Sequence, residues 1–324
     1  MNMIFKKVSL LLALVLAIGL GAYARATTTE PDINAAPVAE NLEFTTYKNV
    51  PVTGMLQAVD PEGDMLEFQI IDQPNKGTAE SASDGSFTYT PKEGKKGKDT
   101  FTYVAVDAIG NISQEAKVII HIEKQTTKIT YSDIEGHGAA YAALKLAEND
   151  VFVGEKLGDS YFFNPDATVS RGDFLAMCMK MAKAELLTDI TRTGFADDGE
   201  ISLWLKPYVT TALLNGAIQG YKNETGALVF NPNAPVTLAQ ASVILNSVME
   251  LTDVTVSGNV LDDELAPSWA AQAAANLSAC QLIPSTAVSI YDKVLSRAEA
   301  AEMLTAAMAI LEERDSGSLL SWAF

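Results

Sequence analysis

Two textures of hydrophobic and polar positions divide this chain. Between about Asn34 and Glu123 apolar residues alternate with polar ones: Leu66, Phe68 and Ile70 in MLEFQII, Phe101, Tyr103 and Ala105 in TFTYVAVD, and Val118, Ile120 and Ile122 in KVIIHIE. A period of two marks strands that bury one face. The runs are separated by DPEGD, QPNKG, SDGS, PKEGKKGK and DAIGN, which are clusters of turn-forming residues. About six or seven short strands at this spacing predict a small Greek-key β-sandwich over residues 34–123.

After the polar link EKQTTK the texture becomes rich in Ala, Leu and Met at helical spacing, and it repeats. FFNPDATVSRGDFLAMCMKMA aligns with VFNPNAPVTLAQASVILNSVM and then with SIYDKVLSRAEAAEMLTAAMAI. Upstream, Asp197 and Trp204 in FADDGEISLW match Asp262 and Trp269 in LDDELAPSW, and YSDIEGHGAAYAALKLAENDVFVG fits the first copy with Gly138 in the Trp position. The copies run over 129–187, 193–252 and 258–313, and their length predicts a helix, loop, helix unit. In each copy the second helix begins on the same pattern: Ser170 with Asp173, Thr237 with Gln240, Ser296 with Glu299. A hydroxyl followed three residues later by an acid or amide is the capping box, which satisfies free N–H groups at a helix start. Apolar stripes follow at Phe174, Met177, Cys178 and Met181, at Val243, Ile244 and Val248, and at Met303, Leu304 and Met308. One stripe per copy has little else to bury it, so the three copies are expected to pack around a shared core.

The first 26 residues are different again. Lys6 and Lys7 precede an apolar run from Val8 to Leu20 and small residues around Ala24 and Ala26, the layout of a secretory signal peptide. The run is short for a ~30 Å hydrocarbon core, and no later segment spans one, so no membrane span is expected after cleavage. A net charge of −18, acidic in both halves, argues against nucleic acid and anionic membrane as partners. The two cysteines, Cys178 and Cys280, are either one bridge in an exported protein or two thiols in helical surroundings.

NAAPVAENLEF, VPVTGMLQAVDPEGDMLEFQI, PNKGTAESASDGSFTYTP and GKDTFTYVAVDAIGN together resemble the cadherin-like and bacterial immunoglobulin-like modules of surface proteins. This implies a spacer or adhesive module. Some relatives bind calcium at the ends of the sandwich, and Asp60, Glu62, Asp64 and Asp107 offer hard oxygen ligands for it. The alternative is ordinary turn chemistry, since Asp is at home in tight turns.

The second half, through SDIEGHGAAYAALKLAENDVFVG, FFNPDATVSRGDF and LSRAEAAEML, resembles S-layer homology domains, three in tandem. The resemblance implies an all-α pseudo-threefold bundle that holds secondary cell-wall polysaccharide, an acidic glycan, without covalent bonds, and so a secreted protein at the cell wall. It also implies that the Arg of each TRAE-like motif faces a groove between copies and pairs with an acidic sugar substituent, as a guanidinium next to a helix N-terminus is suited to do. The matching residues are Arg171 and Arg297, with Leu238 in their place in the middle copy. Trp204 and Trp269 match the family's Trp, as sugar platform or as core. Gly154 and Gly220 match the glycine after the first helix, where the backbone approaches ligand; Ser285 departs. Asp133, Asp197 and Asp262 are expected to make turn or cap hydrogen bonds.

Catalysis finds little support. His121 and His137 have no second His or Cys at metal-ligand spacing, and HExxH, GxSxG and phosphate-cradling loops are absent. Three readings remain: a wall-anchored surface protein with the sandwich projecting outward, a subunit of a surface lattice, or degenerate repeats that dock another protein. The RGD of VSRGD, a receptor motif at first sight, falls inside the first capping box.

Overall fold

A computed structural model describes residues 34–254, 266–283 and 290–316. The segment read as a signal peptide, residues 1–26, lies outside the described residues, as do Asp262 and Ser285.

Residues 38–123 form nine strands: β1 (Val38–Ala39), β2 (Leu42–Tyr47), β3 (Val52–Met55), β4 (Ala58–Val59), β5 (Glu67–Asp72), β6 (Gly77–Ser81), β7 (Ser86–Pro91), β8 (Gly97–Val106) and β9 (Ala116–Glu123). One sheet runs β2-β9-β8-β5 and faces a second, β3-β7-β6, while β1 and β4 pair separately. β2 lies parallel to β9, with Leu42 opposite Val118; the remaining neighbours are antiparallel. The period of two is realised as expected. Phe101, Tyr103, Val118, Ile120 and Ile122 are buried between the sheets, and Phe68 and Ile70 pack on that core from the edge strand β5. Phe87 joins the two layers edge-on, with ring centroids 5.0 Å from Phe44 and 5.4 Å from Phe101. Asp99 is buried there, and its charge is met by Asn75 N–H (3.0 Å), Lys76 N–H (2.7 Å) and the Tyr89 hydroxyl (2.8 Å). A buried carboxylate with three donors is tolerated; without them it is strongly destabilising.

The rest of the chain contains α1 (Ala140–Glu148), β10 (Glu155–Leu157), β11 (Ser160–Phe162), α2 (Arg171–Met181), α3 (Lys206–Leu214), β12 (Tyr221–Lys222), β13 (Leu228–Val229), α4 (Leu238–Met249), α5 (Ala271–Ala279) and α6 (Arg297–Ser316). Two antiparallel hairpins, β10-β11 and β12-β13, stand between the helices of the first two copies. The expected all-α region is therefore helical with two small hairpins. Turns at Gly158 and Gly226, both at positive φ, reverse the chain there and let the flanking residues pair.

Each first helix packs on a second helix of another copy: α3 on α2, α5 on α4 and α1 on α6. The segments just before the second helices hydrogen-bond in a circle. Val236 N–H donates to the Val169 carbonyl (2.9 Å), Leu295 N–H to Val236 (3.0 Å) and Val169 N–H to Leu295 (3.1 Å). All three side chains are buried. The core is continuous through all the helices, as one stripe per copy requires.

The capping boxes start α2, α4 and α6 where expected, with one difference. Thr237 with Gln240 and Ser296 with Glu299 make both reciprocal bonds. Ser170 accepts from Asp173 N–H (3.1 Å), but the Asp173 carboxylate takes the Ser170 hydroxyl instead of reaching the backbone. Asp is one methylene shorter than Glu.

The sandwich is joined to the helices by side chains. Tyr47, at the end of β2, is buried in the helical core against Tyr141, with centroids 4.9 Å apart. Its hydroxyl bonds Glu148 at the end of α1, and the same carboxylate receives the Thr126 hydroxyl (2.9 Å) and Thr127 N–H (3.2 Å) of the link. Burial pushes the Glu148 carboxyl up, but these hydrogen bonds together outweigh it and leave its pKa lowered.

Candidate functional site

Arg171 and Arg297 occupy equivalent places. Each is the first residue of its helix after the capping Ser, and each reaches across to the hairpin of another copy. Arg171 Nε donates to the Phe230 carbonyl (3.1 Å) at the end of β13, with its guanidinium carbon 4.7 Å from the centre of the Tyr221 ring and 5.2 Å from that of Phe230. Arg297 Nη1 donates to the Phe163 carbonyl (3.0 Å) just after β11, and its guanidinium lies 5.3 Å from the Phe152 ring. The two arginines therefore sit at seams between copies.

Their surroundings differ. Arg171 is only 5% exposed, and burial lowers its pKa while the Tyr221 hydroxyl acts the other way. It makes no ion pair among the described residues. Arg297 keeps a fifth of its side chain exposed and donates from Nη2 to Glu155 at 2.8 Å. In the third seam Leu238 stands where the arginines stand, beside a cavity of about 370 Å³ lined by Leu282, Ile283, Ile290 and Leu295, with Lys293 and Glu299 at its polar side.

Gly154 and Gly220 open the two hairpins at positive φ (75° and 76°). A Cβ on Gly154 would meet the Phe162 carbonyl at 2.4 Å, and one on Gly220 would meet the Phe195 ring at 2.4 Å. Both glycines have a packing reason, and each precedes the residue that covers an arginine: Glu155 over Arg297, Tyr221 over Arg171.

Trp204 and Trp269 are 55% and 57% exposed, so they are not core residues. Trp204 precedes α3, and its neighbour Leu205 packs on Gly172, next to Arg171. Trp269 precedes α5, which packs on α4, the helix of Leu238. In the first copy the corresponding Gly138 faces the sandwich: a Cβ there would lie 2.9 Å from Thr53 Oγ1. A Trp has no room where β3 lies. The sequence marked Gly138 only as a departure, because the partner surface is some 85 residues away.

Of the aspartates expected to make turn or cap hydrogen bonds, Asp133 and Asp197 do so, and Asp262 lies outside the described residues. Asp133 accepts from Phe163 and Asn164 N–H (2.9 and 2.6 Å), and Asp197 from Phe230 and Asn231 N–H (2.9 and 2.8 Å), tying each unit's start to the end of its own hairpin. Next to Asp197, Asp198 pairs with the buried Lys206 at 2.7 Å, which together with Thr193 pulls its pKa down to about 2. His137 caps the start of α1 through Ala139 N–H, and His121 meets Glu43 on the sheet surface. Cys178 and Cys280 are both free thiols, and burial raises the pKa of each.

At the far end of the sandwich Asp60, Asp64 and Asp107 converge, with one carboxylate oxygen from each within 4.8 Å of the others. Asn34 Nδ2 lies 3.0 Å from both Asp64 and Asp107, and Asn111 also bonds Asp107. Glu62 turns aside to accept Ala35 N–H. Asp60 Oδ2 is buried without a hydrogen-bond partner. An orphaned carboxylate oxygen among two further carboxylates is what a hard cation with oxygen ligands satisfies, so these residues fit calcium. Asn34, absent from the expected set, lies in the DINAAP stretch; it gave no local signal because its partners follow 30 and 73 residues later.

The arrangement defines a two-part class of protein: a sandwich with a cluster of carboxylates at one end, docked on helical copies with an arginine at two of their seams. Comparison with known proteins agrees. Residues 34–124 match the bacterial cadherin-like domain, and residues 130–175 and 194–242 match the S-layer homology domain. Both are non-catalytic domains of the cell surface. The chain is 27% identical over 128 residues to the surface-layer 125 kDa protein of Lysinibacillus sphaericus, covering 39% of this chain and 10% of that protein. The chain thus spans about a tenth of that relative's length. Among solved structures it is similar to an endo-fucoidan hydrolase of glycoside hydrolase family 107 (21% identity, 30% of this chain and 14% of that one, TM-score 0.24). It is also similar to the SrpA adhesin of Streptococcus sanguinis (19%, 30% and 66%, TM-score 0.21). No helix among the described residues is long and apolar enough to cross a membrane.

Proposed function

We propose that this is an exported surface protein held non-covalently to the cell wall, with the helical copies gripping a carboxylated secondary wall polysaccharide and the sandwich as spacer or adhesion module. In this reading residues 258–313 are a third S-layer homology repeat, and the helices form a pseudo-threefold bundle. The circle of hydrogen bonds through Val169, Val236 and Leu295 supports that count. The observation that carries the function is the shared placement of Arg171 and Arg297, each a cation at a seam between copies and at a helix N-terminus. A carboxylate arriving there meets a charge-assisted donor and a favourable helix dipole. Trp204 and Trp269, exposed beside two of the seams, offer faces for sugar rings. The protein's overall −18 does not forbid an acidic ligand, because screening over about 8–10 Å leaves local charge in control. At the sandwich end, Asp60, Asp64 and Asp107 would hold calcium, which would stiffen the loops that carry them.

Binding to purified sacculi tests the reading. Retention is expected on intact sacculi and not on sacculi stripped of polysaccharide; equal retention on both would instead favour docking to another protein. Arg171→Ala with Arg297→Ala is expected to lower retention at least tenfold, and unchanged retention removes these residues from the site. Regular assembly of the purified protein without any wall would favour a lattice subunit.

A further inference from the structure

Resting on the wall-glycan reading, we propose that Glu155 is a built-in competitor at the Arg297 seam, standing where a glycan carboxylate would stand, so that a ligand must displace it to bind there. The two arginine seams share their layout: each arginine holds a carbonyl just past a hairpin of another copy, Arg171 that of Phe230 through Nε and Arg297 that of Phe163 through Nη1. They part at the residue that follows the hairpin glycine. After Gly220 comes Tyr221, which lays a neutral ring over Arg171. After Gly154 comes Glu155, whose Oε1 accepts a hydrogen bond from Arg297 Nη2 at 2.8 Å.

This contact has the chemistry of the ligand it would exclude: one carboxylate on one guanidinium, at a charge-assisted distance. Glu155 is also displaceable. Its side chain is 62% exposed and begins a three-residue strand whose side chains are all exposed, so the carboxylate can swing into water without opening the core. Arg297 cannot follow it, because Nη1 stays anchored to the Phe163 carbonyl and the guanidinium stays against Phe152. The cation is fixed and its partner is loose, which suits exchange of one carboxylate for another. An exposed pair of this kind is worth about 0.2–1 kcal/mol, which corresponds to about a 1.5- to 5-fold handicap on an incoming anion.

The test is the affinity of polysaccharide fragments released from sacculi, compared with the same fragments after reduction of their carboxyl groups. Glu155→Gln is expected to bind the intact fragments about 1.5- to 5-fold more tightly at low salt, with the gain shrinking as salt rises. Asp159→Asn removes the same charge from the exposed turn of the same hairpin and is expected to leave affinity unchanged. The gain should vanish when Arg297→Ala is added to Glu155→Gln. Unchanged affinity in Glu155→Gln, an equal gain in Asp159→Asn, or a gain that survives Arg297→Ala overturns the competitor role while leaving wall binding intact. Failure of the unaltered protein to bind the intact fragments overturns the wall-glycan reading itself.

Discussion

The sandwich and the helical region reach a buried core by opposite routes. In the sandwich, two sheets from one continuous stretch of about 90 residues cover each other, and Phe87 of one sheet packs on Phe44 and Phe101 of the other. In the helical region no copy closes by itself. Its first helix lies on another copy's second helix, and the backbone circle through Val169, Val236 and Leu295 exists only when all three are present. From this the sandwich is expected to tolerate damage locally, and the helical copies to unfold together. The difference also places the side chains of interest: Arg171 and Arg297 lie at seams that only assembly creates, and the carboxylate cluster of the sandwich sits at its loop end.

The strongest way to break the contrast is to place a charge in the circle. Val236→Asp buries an unpaired carboxylate at a fully buried position, a cost on the order of 3–5 kcal/mol. Hydrogen exchange is expected to show protection lost together in α2, α4 and α6 and kept in β8 and β9. Loss confined to α4 would mean that the copies fold separately. Calcium should act on the other half: at a hundredfold excess over its Kd it stabilises the sandwich by about 2.7 kcal/mol. The rise in unfolding temperature should be reversed by chelator, abolished by Asp60→Asn with Asp107→Asn, and absent from the helical transition. The smallest effect is at the caps. Thr237→Ala and Ser296→Ala each remove a reciprocal cap and are expected to cost about 1 kcal/mol, measured by urea unfolding.

What could be read along the chain was whatever depends on near neighbours. Alternation placed Phe101, Tyr103, Val118 and Ile120 in the sandwich core, and the spacing from hydroxyl to acid or amide located the starts of α2, α4 and α6. The hairpins went unread because β10 and β12 are three and two residues long, too short for a period to register. The arginines were picked out through family resemblance, and their inequality was invisible: Glu155 and Arg297 are 142 residues apart.

By itself, then, the sequence determined the two textures, the repeat, and the helix starts, because these follow from side-chain period and from bonds within three or four residues. Only tertiary structure decided that Gly138 is small because Thr53 of the sandwich lies against it, and that Tyr47 belongs to the helical core. It also decided that one arginine is buried under a tyrosine while its counterpart is neutralised by a glutamate. Each of these depends on which distant surface is brought within a few ångströms, and contact at that range is set by the packing of whole elements.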